Sequence, residues 1–115
     1  MPLVDSQLLE RQPDLETVRA ILREHETELR GLGIAGLSLF GSVARRTAQP
    51  DSDIDIAVRL DADKRRRGLA YVGQLTELEH RLSAILGRHV DVIEEPADNR
   101  RLQSAIERDR VVAYS

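Results

Sequence analysis

The stretch Leu37-Ser38-Leu39-Phe40-Gly41-Ser42-Val43-Ala44-Arg45, followed after a short loop by Ser52-Asp53-Ile54-Asp55-Ile56-Ala57-Val58-Arg59-Leu60, decides how this chain folds. Its second half alternates. Ile54, Ile56, Val58 and Leu60 point one way, and Asp53, Asp55, Ala57 and Arg59 the other, the period of two that marks a strand with one buried face. In the first half, residues 37–40 read as a short strand that Gly41-Ser42 breaks. Val43-Ala44-Arg45-Arg46 then predicts a helical turn or two. Residues 47–52 form a loop with Pro50 as its stop signal.

Working outward, Pro13 or Asp14 opens a helix whose apolar positions are Leu15, Val18, Ile21, Leu22 and Leu29. Gly31, Gly33 and Gly36 end it and predict a flexible connection into the first strand. Beyond the alternating strand, residues 61–67 are a charged loop. A long amphipathic helix follows, with Leu69, Val72, Leu75, Leu78, Leu82, Ile85 and Leu86 as its stripe. Gly87 stops it. His89-Val90-Asp91-Val92-Ile93 reads as a third strand, Pro96 as a separator, residues 99–108 as a last helix, and Val111-Val112-Ala113-Tyr114 as a final short strand. Residues 1–12 read as an N-terminal arm. This order predicts an α+β fold, a small sheet with helices packed on one side.

Composition narrows the function. With 115 residues, two domains would each hold under about 60, marginal for a core, so a single domain over 1–115 is expected. The 17 Lys+Arg against 20 Asp+Glu give a net charge of −3, which argues against a broadly basic nucleic-acid binder. Phe40, Tyr71 and Tyr114 are the whole aromatic set, too few for a base-stacking platform. The absence of Cys excludes disulfides, thiolate nucleophiles and Cys-based metal sites. The chain shows neither a signal-peptide pattern nor a membrane span, and a cytoplasmic location is expected.

The chemistry concentrates on three short segments. Asp53 and Asp55 share one strand face, and two adjacent carboxylates repel unless a cation lies between them. Hard oxygen donors suit Mg²⁺ or Mn²⁺, although a solvated strand face is the plainer reading of the pair alone. Gly41-Ser42 lets a phosphate approach the backbone at a helix start, and the Ser42 hydroxyl adds a hydrogen bond, although the pair also suits an ordinary strand-to-helix turn. Asp91 sits between Val90 and Val92, against strand propensity. It is a surface residue of an edge strand, or, if its strand lies beside that of Asp53, the third of three converging carboxylates.

Gly41-Ser42, ten residues, then Asp53-x-Asp55 resembles the signature of the DNA polymerase β-like nucleotidyltransferases, and the fuller string resembles their minimal branch. The resemblance implies a small mixed sheet with helices on one side. It assigns the nucleotide triphosphate to Gly41 and Ser42, with support from Arg45 and Ser52. It assigns metal binding and catalysis to Asp53, Asp55 and Asp91, the last assisting the attacking hydroxyl. ATP is the implied substrate, with Mg²⁺ or Mn²⁺. The family often has Gly after the motif Arg; here Arg46 stands there, which stiffens the turn.

Minimal nucleotidyltransferases resembling this chain are commonly paired with HEPN-type ribonuclease toxins. The implied activity is transfer of AMP to a tyrosine of such a toxin, with this chain as antitoxin and the partner supplying the acceptor hydroxyl. A non-catalytic antitoxin that acts by occlusion and a small-molecule (antibiotic) nucleotidyltransferase are the alternatives. Direct nucleic-acid or membrane binding is not expected. Lys64-Arg65-Arg66-Arg67 reads as a solvated basic loop, expected beside the mouth of the site. His25, His80 and His89 share no close spacing and read as surface or edge residues.

Overall fold

The structure, a computed structural model, describes residues 13–115; the N-terminal arm expected over 1–12 lies outside the described residues. Helix α1 spans Leu15–Glu24 and α2 Glu26–Gly31. Strand β1 is Ile34–Phe40, the one-turn α3 is Gly41–Ala44, and β2 is Ile54–Leu60. Helix α4 is Gly68–Leu86, β3 is Val90–Glu94, α5 is Arg100–Asp109 and β4 is Val111–Tyr114. The strands form one mixed sheet in the order β3-β2-β1-β4. β1 runs antiparallel to β2 and β4, whereas β2 and β3 are parallel. The parallel pair requires a crossover, and α4 supplies it.

The ends of the helices follow local chemistry. The Asp14 carboxylate accepts from Thr17 N at 3.0 Å and caps α1. Asn99 Oδ1 caps α5 by accepting from Arg101 N and Leu102 N at 2.9 and 3.2 Å. Gly87 closes α4 with φ 68°, a left-handed conformation that glycine adopts without steric cost. The first helical stretch is divided at His25, where α1 ends and α2 begins.

The larger core lies between α1, α2 and α4 and one face of the sheet. Leu22, Leu29, Ile34, Leu37, Leu39, Ile54, Ile56, Val58, Leu82 and Val90 are fully buried there. The expected α+β mixed sheet is present, with one difference in its layering. α5 lies on the opposite face, where Ile106 packs with Phe40 and Ala57, and Leu102 and Ile93 flank them. Ala57 is small and buried because a helix covers it, not because it faces the main core.

Two further expectations change, and a third feature was not foreseen. The first strand begins at Ile34 rather than Leu37, so Gly36 lies within β1, beside a register shift between Ile34 and Gly36. A Cβ there would meet the Arg59 guanidinium at 3.1 Å, so the glycine makes room for a side chain crossing from β2. Second, Leu69 and Val72, expected in the α4 stripe, are 91% and 60% exposed. A 19-residue helix is about 28 Å long and the five-residue β3 about 17 Å, so the first turns of α4 overhang the strand that the helix leads into. Third, a polar residue takes an inward position on α4: the buried Gln74 accepts from Arg66 N at 2.9 Å and donates to Lys64 O at 3.0 Å, tying down the loop before the helix.

The outer edge of β3 is closed by α4. Val90 N donates to Ser83 Oγ at 3.1 Å and Val92 N to Glu79 Oε2 at 3.2 Å. Side chains thus occupy donors that an edge strand otherwise leaves open.

Candidate active site

The parallel ladder between β2 and β3 pairs Ile54 with Val90 and Asp55 with Asp91. Ile54 N donates to His89 O at 3.1 Å, so the ladder begins with His89 beside Asp53. Side chains two apart share a face. Asp53, Asp55, His89 and Asp91 therefore stand together where β2 and β3 begin. β1 runs the other way and ends at Phe40, which pairs with Asp55, so the Gly41-Ser42 turn arrives at the same end of the sheet.

This group occupies the face that α5 covers only in part. Phe40 and Ala57 are buried, whereas Asp53 and Asp91 have side chains 51% and 47% exposed. The acids thus lie half-exposed at the sheet end, next to the apolar surface that α5 buries. Burial, then the charges of Asp91 and Asp53, push the Asp55 carboxyl above its ordinary value; Arg45 opposes the shift. Burial and the neighbouring carboxylates thus both disfavour the charged form of Asp55.

The glycine turn is in close contact with these acids. Gly41 has φ 72°, and a Cβ built on it would lie 3.1 Å from the Asp55 carboxyl carbon. Glycine is required twice over at this position, for the backbone conformation and for the space Asp55 takes. Ser42 is half-buried in the same turn. Arg45, at the end of α3, is held by a 2.7 Å ion pair to Asp109, itself 4% exposed and also bonded by Arg108 Nε at 3.0 Å. Arg46 follows with φ 63°, in the left-handed region that favours glycine.

Ser52 acts within the loop. Its Oγ accepts from Gln49 N at 2.8 Å, and Arg88 Nη1 reaches the carbonyls of Pro50 and Ser52 at 2.7 and 3.4 Å. The hydroxyl shapes the approach to Asp53 and is engaged with backbone.

One expectation holds and one is revised. His89 is exposed at the start of the edge strand β3, as read from sequence, and there places Nδ1 3.4 Å from Asp53 Oδ1 and 3.8 Å from Asp91 Oδ1. The signal was present in the sequence: His89 and Asp91 have the same two-residue spacing as Asp53 and Asp55. The basic run lies at the far end of the sheet, not beside the acids, because β2 carries the chain across the whole sheet between them. Lys64 Nζ donates to the carbonyls of Arg30 and Gly31 at 3.4 and 3.3 Å, next to the start of β1. Arg65 makes a bidentate pair with Glu94, at 2.8 and 3.1 Å, and stacks 4.4 Å from the Tyr71 ring centre. Among the described residues no helix is long and apolar enough to cross a membrane.

Comparison with known proteins agrees with this arrangement. Residues 15–113 match the family described as the nucleotidyltransferase domain. Over 80 residues the chain is 36% identical to the protein adenylyltransferase MntA of Thermococcus cleftensis, covering 69% of this chain and 75% of that relative. A solved structure assigned as a minimal nucleotidyltransferase superimposes with a TM-score of 0.65 at 34% identity, over 86% of this chain and 95% of that one. A toxin–antitoxin crystal structure with AMP-PNP superimposes at 0.59 with 25% identity, over 78% of this chain and 73% of that one. A match that runs from the first helix into the last strand, with a shared fold, shows that this chain belongs to the nucleotidyltransferase domain family, in the minimal branch related to MntA.

Proposed function

We propose that this nucleotidyltransferase transfers AMP from ATP to a tyrosine of a HEPN-type ribonuclease toxin and so acts as its antitoxin. The observation that supports the reading is the parallel register that pairs Asp55 with Asp91 on the strand face of Asp53, against the Gly41 turn. The likeness to a protein adenylyltransferase and to a toxin–antitoxin structure with AMP-PNP supports the choice of acceptor and nucleotide.

The donor set fits a hard divalent cation. Three carboxylates offer oxygens only; burial is the largest cause of the upward push on Asp55, and the part that comes from Asp91 and Asp53 is repulsion that a cation would relieve. Asp53, Asp55 and Asp91 would hold Mg²⁺ or Mn²⁺, which supplies charge neutralisation for the triphosphate and for the departing pyrophosphate.

The protein's own groups do the rest. The Gly41-Ser42 backbone gives the triphosphate a close approach that a side chain would block. Arg45, held by its ion pair to Asp109, adds a positive charge beside the turn. The acceptor tyrosine oxygen attacks the α-phosphorus. The new bond is O–P, the bond to the β-phosphate oxygen breaks, pyrophosphate departs, and Asp91 takes the phenolic proton. Alignment and electrostatic preorganisation provide the acceleration. An AMP group near the active centre of the toxin places a bulky anion where RNA phosphates must bind, and repels them.

The test is incubation of the chain with its partner ribonuclease, Mg²⁺ and labelled ATP, followed by mass spectrometry of the partner. Added AMP on a tyrosine is expected with the wild type. It should be absent with Asp53→Ala and with Asp55→Ala, both of which should keep the wild-type circular dichroism. Silencing of the toxin by Asp55→Ala as complete as by the wild type, without modification, would replace catalysis by occlusion.

A further inference from the structure

We propose that His89 is a nitrogen ligand at the mouth of the acid cluster, forming with Asp53 and Asp91 a site that prefers the borderline ions Zn²⁺ and Mn²⁺ to Mg²⁺. The inference rests on the reading of Asp53 and Asp91 as metal-binding acids and goes beyond it by assigning a donor of different chemistry.

The register of the sheet makes the argument. β2 and β3 are parallel, with Asp55 opposite Asp91, and the Ile54 N–H bond to His89 O fixes His89 against Asp53. The register sets two cross-strand pairs side by side, Asp53 with His89 and Asp55 with Asp91. His89 Nδ1 lies 3.4 Å from Asp53 Oδ1 and 3.8 Å from Asp91 Oδ1. One ligand atom from each of Asp53, His89 and Asp91 falls within 4.8 Å of the others. Donors bound to one ion at about 2.0–2.2 Å lie roughly 3–4 Å apart, so small side-chain rotations bring the three onto a common ion. All three side chains are about half exposed, leaving room for those rotations and for water to complete the coordination.

Chemistry selects the ion. Mg²⁺ holds oxygen donors in a strict octahedron and keeps its water, so an imidazole offers it little. Zn²⁺ accepts imidazole nitrogen readily, and Mn²⁺ tolerates a mixed nitrogen and oxygen set; affinity for such sites rises along the first transition row. His89 thus leaves Mg²⁺ binding to the carboxylates and adds affinity for ions that bind nitrogen.

The test uses the nucleotide-free chain, titrated calorimetrically with ZnCl₂, MnCl₂ and MgCl₂. His89→Ala should weaken Zn²⁺ binding by roughly tenfold or more, weaken Mn²⁺ binding less, and change Mg²⁺ binding by under about twofold. On the wild type, ¹⁵N spectra should show the His89 ring nitrogens shifting on addition of Zn²⁺, well ahead of His25 and His80. Unchanged Zn²⁺ affinity in His89→Ala, or a His89 ring unmoved at saturating Zn²⁺, overturns the proposal. Asp91→Asn separates the two levels. If it loses both Zn²⁺ and Mg²⁺ while His89→Ala loses neither, the imidazole is no ligand and the acid site stands. If Asp91→Asn binds both ions as the wild type does, the acid assignment fails, and this inference with it.

Discussion

Gly41 and Asp55 meet where β1 ends and β2 begins: a Cβ on residue 41 would lie 3.1 Å from the Asp55 carboxyl carbon and 3.3 Å from its Cβ, and closer still to Oδ2. The turn proposed to admit the triphosphate and the acid proposed to bind metal are therefore one steric unit, and neither can move without the other.

Gly41→Ala accordingly damages function more than stability. The left-handed φ of 72° costs an alanine about 1–2 kcal/mol, and the methyl group must also displace Asp55. A displacement of about 1 Å at such a centre reduces rate by roughly 100-fold. Steady-state AMP transfer and thermal unfolding, measured side by side, should show a rate loss far beyond what the fall in the folded fraction explains.

Asp55→Asn should stabilise the metal-free protein at neutral pH. Burial and the neighbouring Asp91 and Asp53 hold the Asp55 carboxyl above its ordinary value of 3.8. Below that value it is protonated in both folded and unfolded chains, and its relative contribution is fully present. As the pH rises through the raised folded value, the folded state must carry a disfavoured charge, and that stability is lost. Unfolding midpoints in chelator should therefore be higher for Asp55→Asn than for wild type at neutral pH, with the gain vanishing below about pH 4. Added Mg²⁺ should raise the wild-type midpoint and narrow the gap.

Arg46→Gly should stabilise the turn by about 1 kcal/mol, since Arg46 occupies φ 63° at the steric cost of a side chain. Its ion pair with Glu16 joins two exposed groups and is worth little. A rise of roughly 3–5 °C in the unfolding midpoint is expected by calorimetry.

Asp109→Asn loosens Arg45 without touching the acids. The 2.7 Å bond to a nearly buried carboxylate is the contact that holds the guanidinium in place. Weakening a charge-assisted bond of about 1.5–3 kcal/mol should raise the KM for ATP by roughly tenfold, with a smaller change in kcat. An unchanged KM would detach Arg45 from the nucleotide.

Gln74→Leu tests the far end of the sheet. The substitution leaves Arg66 N and Lys64 O without their side-chain partner, at a cost of roughly 1–3 kcal/mol by denaturant unfolding. AMP transfer under folding conditions should be unaffected.

Much of the fold was legible because it depends on local periodicity. The alternation from Ile54 to Leu60, the Gly41 break, the Gly87 stop and the helix starts near Asp14 and Asn99 are properties of a few adjacent residues, and each appears in the structure near its expected place. The errors fall where a partner element decides. Leu69 and Val72 have the spacing of a buried stripe, but α4 outruns the strand it covers, so their side chains meet solvent. Gly36 looked like a linker and is instead the space that the Arg59 side chain fills.

The sequence by itself determined the element order, the inward faces of the strands and the two-residue spacing that puts Asp53 beside Asp55, because each follows from backbone geometry over short range. Tertiary structure decided which strand lies next to β2 and in what register. Parallel pairing sets Asp91 against Asp55, brings the unforeseen His89 against Asp53, and carries the basic loop to the opposite end. A strand's own residues state which faces it has; only the hydrogen-bonded ladder to its neighbour determines what those faces meet.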